Sequence, residues 1–228
     1  MIQFLEFNNF INTKIASDEQ VRLSNRLQIE DLFENIDLIA ACDVSFDKNI
    51  YAYATVVLYS YKEDKVVDIF YNKEEVQVPY IPTFFSYREI PPLLKILREI
   101  QKFDLLLMDG QGIAHPRKMG LASHLGVLFN IPSIGCAKRK LIGNYVIPGN
   151  NKGDFSYLFV DNEKRGVVLR TKINIKPLFV SPGHKISIET SKNIVLSLCK
   201  NFKYPEPLRL AHHYSKNFYN KGKQEQFF

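Results

Sequence analysis

Leu105-Leu-Leu-Met-Asp109-Gly-Gln-Gly-Ile-Ala-His115-Pro-Arg-Lys-Met119 is the stretch on which the fold turns. An apolar run of strand length ends in one aspartate, two glycines follow, and then a histidine and two bases. A carboxylate at the mouth of a buried strand is costly unless it is compensated, and a divalent metal is the usual partner. Gly110 and Gly112 let the backbone turn sharply and a ligand come close. His115, Arg117 and Lys118 are then expected to face whatever anion the metal attracts. The pattern is that of a site for a metal and a phosphate.

Upstream, Leu38 to Phe46 reads as a buried strand. Asp47-Lys-Asn49 turns it into Tyr51–Ser60, and Lys62 to Asp64 turns that into Lys65–Tyr71. Three strands joined by short turns make an antiparallel meander. Ser17-Asp-Glu-Gln20 resembles a capping box and predicts a helix from there to about Phe33. Val78-Pro-Tyr-Ile-Pro82 is bracketed by prolines and excluded from regular structure. A helix is expected over Tyr87–Gln101, with Pro91 and Pro92 in its first turns.

Downstream, a strand over Phe103–Met108, a helix over Lys118–Phe129 and a strand over Ile131–Ala137 read as βαβ, so the strands after the meander are expected to run parallel. Tyr157–Asp161 and Gly166–Arg170 form a second hairpin around Asn162–Arg165. Leu178–Val180 is strand-like, Ile188–Cys199 is a closing helix, and the polar residues after Tyr214 are expected to fray. The fold class is therefore α/β: a mixed sheet, with an antiparallel three-strand meander plus parallel strands, flanked by helices.

Length and charge narrow the function. The 228 residues suffice for one sizeable core, so a single domain over 1–228 is expected. A net charge of +6 favours an anionic partner such as nucleic acid. Cys42, Cys136 and Cys199 are odd in number and lie in apolar surroundings, which points to buried free thiols in a reducing cytosol. The start, Met1 to Glu6, lacks a basic segment followed by an apolar one, and no apolar run approaches membrane-spanning length. A cytoplasmic, monomeric protein without membrane contact is the expectation.

Three carboxylates stand out by context. Asp43 lies inside the first apolar strand, Asp109 ends the central one, and Glu89 opens a helix in Phe85-Ser-Tyr-Arg-Glu-Ile-Pro-Pro. A meander, then helix, strand and helix, with one acid on the first strand and one on the fourth, is the order of ribonuclease H-like nucleases. Such acids reach a common metal site, and two-metal sites hold ions about 3.5–4 Å apart. Taken singly, Asp109 also suits a turn and Glu89 a helix dipole. Lys138 opens a basic cluster with Arg139 and Lys140 at a strand end beside Asp109, which argues for phosphate contact.

Seven motifs in order, Ala41-Cys-Asp43-Val-Ser, Val78-Pro-Tyr80-Ile-Pro, Tyr87-Arg-Glu89, Asp109-Gly-x-Gly-x-Ala-His115-Pro-Arg, Gly135-Cys-Ala-Lys138, Val180-Ser-Pro-Gly-His184 and Pro205-Glu-Pro-Leu-Arg-Leu-Ala-His212, resemble endonuclease V over most of the chain. The resemblance implies a ribonuclease H-like fold and a Mg²⁺-dependent endonuclease, with Mn²⁺ as a substitute, acting on DNA at deoxyinosine. It implies cleavage at the second phosphodiester 3′ to the lesion, leaving 3′-hydroxyl and 5′-phosphate ends. Its metal-binding acids carry over to Asp43, Glu89 and Asp109. A further catalytic position carries over to His212, the wedge to Pro79, Tyr80, Ile81 and Pro82, and a lysine to Lys138. Gln111 stands where the family often has His or Asn, Cys42 and Cys136 stand where small residues are common, and His213 offers a second imidazole beside His212.

An enzyme that reads a base edge must take the base out of the stack. Tyr80, held between prolines, is a rigid aromatic suited to fill the gap. Backbone groups near Gly112, Leu141 and Gly143 are candidates to read hypoxanthine, with His115 and Arg117 on phosphate. Two rivals remain on the sequence: an endonuclease acting mainly on inosine in RNA, and a non-catalytic lesion-binding protein. A nucleotide-binding βαβ domain is disfavoured, because no Gly-x-Gly-x-x-Gly opens a helix.

Overall fold

A computed structural model describes residues 12–47 and 50–224. The amino-terminal stretch Met1–Glu6 and the turn residues Lys48 and Asn49 lie outside the described residues. The chain forms α1 (Thr13–Ser24), β1 (Leu38–Asp47), β2 (Tyr51–Ser60), β3 (Lys65–Glu75), α2 (Phe85–Glu99), β4 (Leu105–Met108), α3 (Leu121–Phe129), β5 (Ser133–Ala137), β6 (Phe155–Val160), β7 (Glu163–Leu169), β8 (Leu178–His184), α4 (Ile188–Leu198) and α5 (Glu206–Gln224).

All eight strands join one sheet in the order β3-β2-β1-β4-β5-β8-β7-β6. The expected meander is β1–β2–β3, and β1, β4 and β5 run parallel. Beyond β5 the pairing is antiparallel: β6–β7 is the hairpin the sequence predicts, while β8, expected to run parallel, lies antiparallel to β5 and β7. The reason is connectivity, since the βαβ pattern ends at β5 and no helix crosses over between β6, β7 and β8. The β6–β7 turn is tighter than expected, only Asp161 and Asn162, both at positive φ. That two-residue geometry matches the strand twist.

Alternation along the central strands divides the core into two layers. Ile39, Ala41, Leu105 and Leu107 face one way, into the layer covered by α4 and α5. Ala40, Cys42, Leu106 and Met108 face the other, under α2 and α3. The three cysteines are free and buried, as expected. Among the described residues, no helix is long and apolar enough to cross a membrane.

Three helices depart from the sequence reading. α1 starts at Thr13 because Asn12 caps it, its Oδ1 accepting from the N–H groups of Lys14 (3.1 Å) and Ile15 (3.2 Å). It stops at Ser24, and the segment beyond is pinned elsewhere: Gln28 N–H donates to His184 Nδ1, and Asp31 accepts from Ser187 and Thr190. α3 starts after Lys118, whose φ of 55° breaks the helical run. The polar tail expected to fray is the second half of α5. Phe218 and Tyr219 pack edge-on against Tyr53, with ring centroids 5.3 and 5.5 Å apart.

Candidate functional site

The register of the central pair assembles the site. Cys42 pairs with Met108 in parallel. The next residues, Asp43 in the middle of β1 and Asp109 just past β4, therefore come side by side where that pairing ends. Both continue the odd-numbered series that faces α4 and α5. From the other layer α2 presents Glu89, one turn into the helix rather than at its start. Asp43 and Glu89 are buried. Burial, and then the charges of Asp43 and Asp109, push the Glu89 carboxyl well above the usual range, and Arg88 offsets this only in part. The three acids thus lie within electrostatic reach of one another in a place short of positive charge.

Asp43 and Asp109 each have a partner from this chain. Lys138, just past β5, donates to Asp109 Oδ2 at 2.7 Å and lies 4.4 Å above the ring of Tyr204. Tyr204 donates its hydroxyl to Cys136 O at 2.8 Å. On α5, His212 Nδ1 is 3.3 Å from Asp43 Oδ1, and that hydrogen bond raises the imidazole pKa. His213 turns away and accepts from Asn217 Nδ2 at 2.9 Å, so His212 is the imidazole that meets the carboxylates. Buried Ser215 donates to Asp43 Oδ2 and pairs with Ser45. Sequence reading missed Ser215 and Tyr204. Helical spacing from His212 to Ser215 was the available signal for the first, and nothing local marks the second.

Among the described residues, no three His, Cys, Asp or Glu side chains form a group that could hold a metal ion as they stand. The donor chemistry nevertheless suits a hard divalent cation: carboxylate oxygens from three elements, one of them destabilised in its charged form by its neighbours. Lys138 already neutralises part of the charge at Asp109.

Beside Asp109, which borders it, opens a cavity of about 440 Å³, lined among others by Tyr80, Phe85, Gln111, Leu121, Lys138 and Leu141. Its size is that of small-ligand pockets. Tyr80 is 64% exposed and stands edge-on to Phe85 with centroids 5.8 Å apart. Pro79 and Pro82 are exposed, and Pro82 also lines the cavity. Ile81 instead packs onto Ala16, Val78, Phe84 and Tyr87.

Several expected contacts have other occupations. The Gly112 N–H donates to Ser181 Oγ at 2.8 Å, and an added Cβ would come within 2.1 Å of Pro182 O. Gly112 is thus a packing point against β8, while its neighbours Gly110 and Gln111 line the cavity. Gly143, at φ +87°, accepts from Lys140 Nζ through its carbonyl and does not line the cavity. Of the three proposed base readers, only Leu141 borders it. His115 is buried and pushed down to about 4, so it is neutral near pH 7. Its Nε2 lies 2.9 Å from Thr83 O. Arg117 bonds Gln20 and Thr83, and Lys118 bonds Glu163. All three are engaged within the chain, and His115 also lines the cavity. The cations on the cavity wall are Lys138, Arg139 and Lys140.

Fold and site together define a ribonuclease H-like α/β domain with aspartates on two adjacent parallel strands and a glutamate on a helix beside them. The sequence profile of the endonuclease V family matches residues 21–213, and the chain belongs to that family. It is 45% identical over 216 residues to endonuclease V of Dictyoglomus thermophilum, covering 91% of this chain and 94% of the relative. It is 42% identical over 201 residues to endonuclease V of Methanothrix thermoacetophila, covering 87% and 90%. Among solved structures, endonuclease V of Streptomyces avermitilis superposes with a TM-score of 0.88 at 30% identity, covering 94% of this chain and 96% of that one. Endonuclease V of Ciona intestinalis, solved with a 24mer DNA containing an inosine followed by a ribo-adenosine, superposes at 0.79 with 27% identity, covering 92% and 99%. Family membership makes the chain a nuclease of this kind.

Proposed function

We propose that this chain is a Mg²⁺-dependent repair endonuclease, with Mn²⁺ as a substitute, that recognises deoxyinosine in DNA. It hydrolyses the second phosphodiester 3′ to the lesion. The observation that carries the reading is the burial of Glu89 within electrostatic reach of Asp43 and Asp109, with Asp109 bordering a cavity rimmed by Lys138 and Tyr80. The relative crystallised on inosine-containing DNA supports the choice of lesion.

Asp43, Glu89 and Asp109 are the residues that would hold the cation. Bound Mg²⁺ supplies positive charge at the scissile phosphate and at the departing oxygen. Lys138 leaves Asp109 to contact the phosphate it attracts. His212, anchored on Asp43, orients the attacking water, and Ser215 fixes the opposite carboxylate oxygen. Water adds to phosphorus and the bond to the 3′ oxygen breaks. That oxygen takes a proton, leaving a 3′-hydroxyl and a 5′-phosphate. Tyr80 fills the gap left by the extruded base, which enters the cavity next to Leu141.

The test is direct. Labelled strands carrying one inosine are incubated with the protein, with and without Mg²⁺, and the cut is mapped. Matched DNA and RNA strands decide between the two sugar classes. Cutting only of RNA, or binding without cutting in Mg²⁺, would sink the proposal.

A further inference from the structure

Thr83 is a β-branched residue at φ +66°. That region is rarely entered by such a side chain, and strain of this kind persists only where the surroundings impose it. Here they do. The Thr83 carbonyl lies within hydrogen-bonding distance of Gln20 Nε2 (3.2 Å), His115 Nε2 (2.9 Å) and Arg117 Nη2 (3.1 Å). Arg117 Nη2 also reaches Thr83 Oγ1 at 2.8 Å. Gln20 is fully buried, and its Oε1 accepts from Arg117 Nε at 2.6 Å, which closes a ring of contacts. His115 Nδ1 accepts the Arg117 N–H at 3.2 Å, so Nε2 carries the ring proton and donates to Thr83. The Arg117 guanidinium lies 4.4 Å over the Phe84 ring.

Three donors on a carbonyl with two lone pairs make a stiff point. That point closes the short segment that carries Tyr80, and Phe84 N–H returns to Ile81 O at 3.0 Å. The same helix that supplies Gln20 also meets α2: the Tyr87 hydroxyl lies 2.9 Å from both Ala16 O and Glu19 Oε2. The family match begins at residue 21, so Gln20 and most of α1 precede it.

We infer that Gln20 and Arg117 are positioning residues whose clamp on Thr83 presets Tyr80 for entry into the nucleic-acid stack. The clamp touches no substrate. It removes from the binding step the entropy of ordering the Tyr80 segment, which is how preorganisation raises selectivity. This inference rests on the reading of Tyr80 as the wedge.

The chain has no tryptophan, so Tyr80→Trp gives a single emission reporter. Adding Gln20→Met removes the amide contacts to Thr83, Met119 and Arg117 at similar volume. Acrylamide quenching and anisotropy of that emission are read beside the melting temperature. The expected result is quenching raised by about twofold or more and lower anisotropy. In the chain with Tyr80 intact, Gln20→Met is expected to lower the inosine-to-adenine binding ratio, measured in Ca²⁺, by about fivefold to tenfold, the scale of one hydrogen bond. Gln20→Glu keeps a partner for Arg117 but loses the donor to Thr83, and is expected to fall between. A lowered melting temperature with unchanged quenching and unchanged ratio makes Gln20 a brace for the core and overturns the inference. Should Gln20→Met fail to fold, Arg117→Lys keeps the charge but loses the planar guanidinium contacts to Gln20 and Thr83. Higher quenching then supports the clamp and unchanged quenching refutes it. A wild-type chain with no preference for inosine defeats the proposed function, while the emission experiment still judges the clamp.

Discussion

Asp43 receives His212 on one oxygen and Ser215 on the other, and its charge bears on Glu89. No neighbouring acid replaces it, and the same holds for Asp109 at the end of β4. Asp43→Ala or Asp109→Ala is expected to lower single-turnover cleavage of inosine strands by about a hundredfold or more, with circular dichroism unchanged. Near-wild-type cutting at saturating Mg²⁺ by either variant defeats the assignment. Tyr80 acts differently, because it is 64% exposed and outside the carboxylate set. Tyr80→Ala is expected to weaken inosine binding between several-fold and roughly a hundredfold, since base–aromatic stacking contributes about 1–3 kcal/mol. Binding is measured in Ca²⁺, which takes more ligands at longer distances and is expected to support little cutting. Equal affinity and equal selectivity of the variant would leave Pro79 to Pro82 as a loop without a role in recognition. At this scale the acids were legible in the sequence, because an aspartate inside an apolar run has few structural reasons to be there. The roles of His115 and Arg117 were not. Both look like phosphate contacts in one dimension, and only the approach of Thr83 and Gln20 turns them inward.

α5 shows how an element gains a role from its packing. Its polar second half has no clear periodic signal, yet Phe218 and Tyr219 land on Tyr53, and Phe218 also meets Tyr71 at 5.2 Å. The same helix carries His212 and Ser215 to Asp43. Phe218→Ala is expected to lower stability by about 1–3 kcal/mol, less than a fully buried Phe because this ring is half-buried. Urea unfolding reads the change. A midpoint equal to wild type would mean that the end of α5 is not held by those rings. α1 carries the complementary lesson. Ser17 to Gln20 offered a plausible cap, but Asn12, earlier in the sequence, is the residue that caps the helix. Gln20, freed from capping, becomes a buried tie to Thr83.

Across the whole molecule, burial silences three histidines. His115, His124 and His184 are each pushed down to about 4, against about 6.5 in the unfolded chain. Between those values the unfolded chain binds protons that the folded chain refuses. Stability from these groups therefore falls as pH drops from about 6.5 toward about 4, and levels off below. The slope approaches roughly 1.4 kcal/mol per pH unit for each fully buried histidine. Glu89 acts in the opposite sense, because its carboxyl is raised and its protonated form suits the fold. The histidine part is isolated with His124→Asn, which is expected to show a shallower fall of urea midpoint between pH 6.5 and 4.5 than wild type. Parallel curves for the two proteins would refute it.

What the sequence by itself determined is the β1–β2–β3 meander, the buried β4 and β5, and the choice of Asp43 and Asp109 as the acids that matter. Those follow from periodicity and from the cost of a lone charge in an apolar run, both of which are local. What only the tertiary structure decided is which of the neighbouring polar groups face the site. The Cys42–Met108 register brings Asp43 and Asp109 together, α5 delivers His212 rather than His213, and Gly112 closes against β8. The antiparallel run β8-β7-β6 belongs to the same class of facts. Strand pairing, helix rotation and hydrogen bonds between residues far apart in the chain depend on where distant segments pack, and no window of sequence contains that information.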